Sequence, residues 1–543
     1  MANRTGFTNC LFCLHYQFAI FDSRFYVHGF SHRTCKMAHW QNYFCAATTA
    51  ALHYLRLLIM EANMSRKLTL ISLISLALTQ GCAQMSGSSA ANDKVATTAT
   101  APKNIIMVVA DGMGPAYTTA YRNFADDPAT DEIENVVFDD IFVGNASTYP
   151  AAVSGYVTDS AAAATALATG VKSYNGAIGV DANKAPVGSV LQRAKELGLR
   201  TGVAVTSQIN HATPAAYIAH NESRRNYDAL ADSYFDDRIN GQFVADVMLG
   251  GGTSYFERED RNIVGQFIDE GYQYVDSYNK LATLPAGSKV LGLFAPVGLP
   301  AALDDERQNR LSYIAKNAVK HLENDKGFFL LIEASQVDWA GHSNDIGSAM
   351  AEMHDLALTM EYLRDYVATH PDTLVVLTAD HSTGGLTIGA NGEYSWHPEY
   401  LRSMKASVAT IANGMTTQSN SANYVAEQLG FSLSDEEVKQ INRMAKQQDE
   451  KARETALKAF LDKKTNTGWT TGGHTGVDVE VFAFGAGSDA FAGQIDNTDI
   501  ARNFFNFLNS SSAATNATAP ANAKAENGSA SKGCDFDDSL HCN

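Results

Sequence analysis

The chain has 543 residues, 45% of them hydrophobic and 18% charged, enough for one large α/β domain or for two or three ordinary domains with sizeable cores. Its net charge of −18 is uneven: residues 1–82 hold seven Lys/Arg against two Asp/Glu, so they carry +5 and the remainder carries −23. A surface that acidic excludes nucleic acid as a partner, because a phosphate backbone is held by Lys and Arg, and it repels any small anion unless bound cations reverse the sign locally.

Residues 1–63 are aromatic-rich and patternless, and they read as an over-extended start, with Met64 as the expected initiator. Residues 64–83 read as a secretory signal: Arg66 and Lys67 precede an apolar run from Leu68 to Leu78 that is too short to span a bilayer. Cys82 after Gly81 resembles a bacterial lipobox, although Thr79 stands where an aliphatic residue is usual. Two outcomes stay open, a lipid anchor on Cys82 or ordinary cleavage near Ala83. Either predicts export, to the periplasm or as an outer-membrane lipoprotein of a Gram-negative bacterium. Residues 84–102, rich in Ser, Ala and Thr, form a linker.

The seven Cys are at 10, 13, 35, 45, 82, 534 and 542, so the stretch from 83 to 533 has no disulfide. Cys10 and Cys13 form a C-x-x-C without the second pair that a zinc knuckle needs.

From 103 to 509, short β-branched runs alternate with helical patterns, the signature of an α/β sheet. Strands are predicted at 105–110, 202–205, 328–332, 374–379 and 479–485. Polar residues able to hold a metal follow each of the first four: Asp111, the TSQINHAT run, Glu333, and Asp380 with His381. In open α/β sheets ligands bind beyond the carboxyl ends of the strands, so four such ends outweigh the turn-residue reading that any one of them would receive. The Ala-rich segment 157–170 predicts a helix with Ser160 at its start and Gly170 at its stop. A helix start offers free N–H groups and a positive dipole end to an anion, though most Ser there serve only as N-caps. Asp338 and His342, four apart, face one side of a helix, and His474 lies in a Gly-rich loop.

Between 391 and 468 the sheet pattern lapses into an insert. Ser434 and Glu437 make a capping box that predicts one long polar helix toward Lys463, packing Ile441, Met444, Leu457 and Leu461 onto the domain surface. Residues 510–543 read as a disordered tail, with Cys534 and Cys542 placed to close a small loop in an oxidising compartment.

VTDSAAAAT, DGMG, HATPAA, VDWAGH, TADHSTGG and GGHTG resemble the motifs of the bacterial alkaline phosphatase family, in that family's order and across residues 103–509. The resemblance implies a doubly wound three-layer α/β sandwich around a mostly parallel sheet. It also implies hydrolysis of small phosphate monoesters through a phosphoserine on Ser160, with two Zn²⁺ and one Mg²⁺. By the same resemblance Asp338, His342 and His474 hold the first zinc, and Asp111, Asp380 and His381 hold the second beside Ser160. The magnesium takes Asp111, Glu333 and Thr213. Arg224, rather than the adjacent Arg225, falls at the place of the phosphate-clamping arginine. His211 stands where some members have Asp, and is placed to ligate the third metal. Trp339 stands on the substrate side where some have Lys, which removes a cation near the phosphate. The family is commonly homodimeric. A sulfatase would need a Cys/Ser-x-Pro-x-Arg context, which is absent around Ser160, and a diesterase would typically use a Thr nucleophile without the third metal set. A catalytically dead scaffold would lack some of these residues.

Overall fold

The computed structural model describes residues 101–517, except residue 308. The segments assigned above to the extension, the signal, Cys82, nearly all of the linker and residues 518–543 lie outside the described residues.

Ten strands form one sheet: β1 (Asn104–Val109), β2 (Phe142–Ser147), β3 (Arg200–Gln208), β4 (Val247–Gly251), β5 (Gln273–Val275), β6 (Val290–Leu293), β7 (Phe328–Glu333), β8 (Thr373–Thr378), β9 (Val479–Gly485) and β10 (Gly493–Asp496). Their spatial order is β10-β2-β9-β8-β1-β7-β3-β4-β6-β5. Only β9 runs against the rest, pairing antiparallel with β8 and β2. Every residue of β1, β7 and β8 is buried, which is why they read as unbroken apolar runs: a parallel strand covered on both faces has no solvent side to alternate toward.

Helices cover both faces. On one side lie α2 (Ser160–Thr169), α3 (Val190–Glu196), α4 (Ala212–Ile218) and α12 (Asn497–Ala517). Phe329 of β7 meets Tyr217 of α4 and Phe504 of α12 there, with ring centroids 6.3 and 5.8 Å away. On the other side lie α1 (Pro115–Ala125), α5 (Arg310–Leu322) and α7 (Ile346–Thr369), with Leu322 of α5 packed over Gly202. The helix α6 (Gln336–Ser343) leads from the end of β7 toward α7. This is the doubly wound sandwich expected from the motifs.

The insert consists of α8 (Val408–Gly414), α9 (Ser421–Leu429), α10 (Asp435–Met444) and α11 (Glu450–Thr465). The Ser434–Glu437 capping box is present, but the single long helix predicted from it is two. Arg453 takes the carbonyls of Gln447 and Gln448 at 2.8 and 3.1 Å, and Asp449 caps a new helix by accepting from Lys451 N. The break was hidden because Gln and Lys favour helix on either side of it. The last helix runs to Ala517, past the domain end placed at 509. Among the described residues no helix is long and apolar enough to cross a membrane.

Candidate metal and phosphate site

The four strands that supply the expected ligands are neighbours at the middle of the sheet, in the order β8-β1-β7-β3. All four are parallel and nearly level at their ends: Val109 pairs with both Thr378 and Glu333, and Glu333 with Val205. Asp380 and His381 therefore emerge beside Asp111, which emerges beside Glu333, with His211 and Thr213 beyond β3. The loop after β7 adds α6, whose one-turn spacing carries Asp338 and His342 on the same side.

Three clusters result. Carboxylate and ring-nitrogen atoms lie within 4.8 Å of one another in Asp338–His342–His474, in Asp111–His211–Glu333 and in Asp111–Asp338–His381. His342 Nε2 is 3.4 Å from Asp338 Oδ2 and 3.1 Å from His474 Nε2, while His474 Nε2 is 3.7 Å from Asp338 Oδ1. His381 Nε2 is 3.1 Å from Asp380 Oδ2, 3.6 Å from Asp111 Oδ1 and 3.1 Å from Ser160 Oγ.

The polar partners show which atoms remain free. Asp380 Oδ1 accepts from Gly112 N and His381 N at 3.0 and 2.9 Å, and Glu333 Oε2 accepts from Ser335 Oγ and Ser207 Oγ at 2.7 and 3.1 Å. Their other oxygens, Asp380 Oδ2 and Glu333 Oε1, have no hydrogen-bond partner. Neither do both oxygens of Asp111, Thr213 Oγ1 or His211 Nδ1, all of them buried. Such atoms cost about 1–3 kcal/mol each when left alone, and more when charged, so a cluster of them in one place calls for a cation. The histidines agree. His342 Nδ1 faces Gly472 O at 2.7 Å, and His474 Nδ1 faces Thr158 O at 2.9 Å. A carbonyl can only accept, so each Nδ1 carries the proton and each Nε2 lone pair points into the site, the arrangement that supports a metal-bound imidazole.

Burial, then the charges of Asp380, Asp338 and Glu333, push the Asp111 carboxyl well up, and burial with the Asp380 charge pushes Glu333 up to about 7. Four carboxylates cannot share this space ionised without positive charge among them. Burial, then the charge of Arg224, drives His211 down to about 3, so its ring is neutral, and because Arg224 Nη2 can only donate to Nε2, the ring proton sits on Nδ1. The donor set fits: imidazole with carboxylate suits Zn²⁺, and the carboxylate and hydroxyl of Glu333 and Thr213 suit Mg²⁺.

Ser160 is the first residue of α2 and is buried. The N-cap is Asp159, whose Oδ1 accepts from Ala162 N at 3.0 Å, so the Ser160 hydroxyl is spared that duty. Asp159 Oδ2 meets Arg224 Nη1 at 3.1 Å, and Arg224 Nη2 donates to His211 Nε2 at 3.3 Å. Arg225 is exposed. Trp339 is half-buried, edge-on to His211 with centroids 6.0 Å apart, and backs onto Gly298.

Every residue expected at the site thus lies in this one region. Two others escaped sequence reasoning, Asp159 and Thr383. Thr383 Oγ1 donates to Asp338 Oδ1 and stands 3.2 Å from His381 Nδ1, linking an expected ligand of one zinc to an expected ligand of the other. Asp before an Ala-rich helix is an N-cap signal that would have found Asp159; Thr383 lies within the TADHSTGG motif, but its type and spacing do not reveal its bonds.

The alkaline phosphatase family matches residues 102–510. The chain is 44% identical over 412 residues to alkaline phosphatase 3 of Bacillus subtilis (strain 168), covering 75% of this chain and 89% of that protein. It is also 44% identical over 411 residues to alkaline phosphatase 4 of the same organism, covering 75% and 88%. The crystal structure of a cold-active alkaline phosphatase from the psychrophile Shewanella sp. superposes with a TM-score of 0.71 at 51% identity, over 75% of this chain and 99% of that one.

Proposed function

Since the chain belongs to the alkaline phosphatase family and is a phosphoric monoester hydrolase, we propose that it works through a phosphoserine on Ser160, with two Zn²⁺ and one Mg²⁺ held by the clusters described above. One zinc falls to Asp338, His342 and His474, and the other to Asp111, Asp380 and His381. The magnesium falls to Asp111, Glu333 and Thr213, with His211 beside them. The observation that carries this reading is the set of buried, partnerless oxygens of Asp111, Thr213, Glu333 and Asp380 gathered beside Ser160.

When bound, the ions supply the positive charge that makes a serine hydroxyl a nucleophile, balances the leaving oxygen and reverses the repulsion of an acidic surface for a dianion. Arg224 grips two phosphoryl oxygens with its planar fork, aimed by Asp159. Ser160 Oγ attacks phosphorus in line, forming the Ser–O–P bond as the ester P–O bond breaks, and the alcohol leaves with a proton. Water then cleaves the phosphoserine, regenerating the hydroxyl and releasing phosphate. The N-terminus of α2 adds backbone N–H groups facing the phosphoryl group. Export, either with a lipid anchor on Cys82 or with ordinary cleavage near Ala83, and dimer formation belong to the same proposal, carried by the sequence and the resemblance.

The test compares hydrolysis of an aryl phosphate, an aryl phosphodiester and an aryl sulfate, before and after chelation, with metal analysis of the purified protein. Monoester turnover that disappears on chelation and returns with Zn²⁺ and Mg²⁺ is expected. Full turnover in metal-free protein refutes the reading.

A further inference from the structure

The helical insert runs directly into the ligand loops: Thr465 at the end of α11 and Trp396 both bond the Thr467 hydroxyl, and a further side-chain pair lies nearer the ligands. Trp469 Nε1 donates to Asp462 Oδ1 on α11 at 3.0 Å. The Trp469 ring covers the face of Gly384, where a Cβ would come within 2.6 Å of Cε3, and it stands edge-on to Tyr117 with centroids 6.5 Å apart. Around this contact two segments are zipped antiparallel. Thr387 and Ile388 pair with Gly468 and Thr467, and Ser382 and Thr383 pair with Thr475 and His474. Between those rungs Gly384 O accepts from Thr470 N and Thr471 N at 3.0 and 3.2 Å, and Gly384 N donates to Gly473 O at 2.8 Å.

Four expected zinc ligands lean on this zipper. Thr383 bonds Asp338 and His381, Gly472 O orients His342, and His474 is itself a rung. Yet the zipper is rich in glycine, with Gly384, Gly385, Gly472, Gly473 and Gly476, and Gly384 and Gly385 sit at φ +79° and +56°. Such a segment loses much conformational freedom on ordering and is loose unless something outside holds it. Trp469, fixed by Asp462, lies on the glycine at its centre.

We propose that Asp462 and Trp469 are positioning residues, through which the insert holds the 382–388 and 467–475 segments in register and so sets how firmly the adjoining sites keep their zinc. The inference rests on the reading that those sites hold zinc. Opening of the zipper separates Thr383 and His474 from Asp338, and an ion caught in that state escapes faster.

The experiment mixes purified holoenzyme with excess chelator and follows zinc release with a zinc-sensitive dye. Trp469→Phe keeps a ring but removes the N–H, Asp462→Ala removes the acceptor, and Asp462→Asn keeps an acceptor oxygen. Release should accelerate on the order of 10-fold in Trp469→Phe and in Asp462→Ala, no further in the double variant, and less than about 2-fold in Asp462→Asn. Leu457→Ala, a buried change on the same helix, should lower Tm without speeding release. Parental release rates in Trp469→Phe and Asp462→Ala, additive effects, Asp462→Asn as fast as Asp462→Ala, or equal acceleration by Leu457→Ala would each overturn the proposal. Protein purified without zinc refutes the functional reading instead. Zinc-loaded protein whose variants release at the parental rate refutes only the brace.

Discussion

Asp159 does two separable things, and two substitutions divide them. One oxygen caps α2 through Ala162 N at 3.0 Å, and the other pairs with Arg224 at 3.1 Å, where both side chains are about one-fifth exposed. Asp159→Ala removes both. Loss of an N-cap costs about 1 kcal/mol of stability, within a range of about 0.5–2. Loss of the carboxylate frees the Arg224 fork, which then keeps only its bond to neutral His211. A charge-assisted hydrogen bond contributes about 1.5–3 kcal/mol, and partial solvent exposure reduces that toward about 1–2, so phosphate affinity should fall about 5- to 30-fold. Asp159→Asn keeps the capping oxygen and removes the charge. It should lose a few tenths of a kcal/mol at most, with a comparable loss of phosphate affinity. Urea denaturation gives the first quantity, and the inhibition constant for inorganic phosphate gives the second. Equal destabilisation by both variants, with phosphate inhibition unchanged, would show that Asp159 neither caps by one oxygen nor aims Arg224 by the other.

Ser160→Ala should reduce turnover of an aryl phosphate by at least ~10³-fold while zinc content stays near that of the parent, and retained turnover contradicts the nucleophile assignment. Metal-free protein should lose stability as pH rises. The Glu333 pKa is raised from 4.5 to about 7 in the fold, so between those values the unfolded chain releases a proton that the folded chain keeps. The loss is about 3 kcal/mol from this group alone, complete above pH 7, and urea midpoints at pH 5 and pH 8 with and without bound ions should show it only in the chelated sample. Arg310 is fully buried against Glu352 and Asp355 at 2.8 and 3.0 Å. Arg310→Leu strands two buried carboxylates and should cost about 3–5 kcal/mol in urea denaturation, whereas Lys184→Ala, which breaks a pair with both side chains more than half exposed, should leave the urea midpoint unchanged.

The sequence exposed those parts of the fold whose physics is local. β1, β7 and β8 were visible because burial on both faces forces continuous apolar runs, and a charged residue closes β7 at Glu333 and follows the other two within two residues, at Asp111 and Asp380. β2 and β10 were not visible. They are the last two strands at one end of the sheet, their residues are half-exposed or mixed, and β10 holds only Gly493–Asp496. β4 was not predicted either: it ends in two glycines, and Gly251 lies against Val297 O, where no Cβ fits. The break between α10 and α11 depends on Arg453 reaching back to two carbonyls, a contact no periodicity records. At the site, residue types and spacing pointed to the ligands. The assignment of capping to Asp159 rather than Ser160, and the Thr383 bridge between clusters, required the geometry.

The central claim is that the partnerless atoms at four adjacent strand ends exist to hold cations beside Ser160. Anomalous scattering across the zinc edge, from crystals of the purified protein, tests it most directly. Two zinc peaks are expected, one among Asp338, His342 and His474 and one among Asp111, Asp380 and His381. Ordered side chains with no anomalous density at either place, in protein that still hydrolyses a phosphate monoester, would contradict the account.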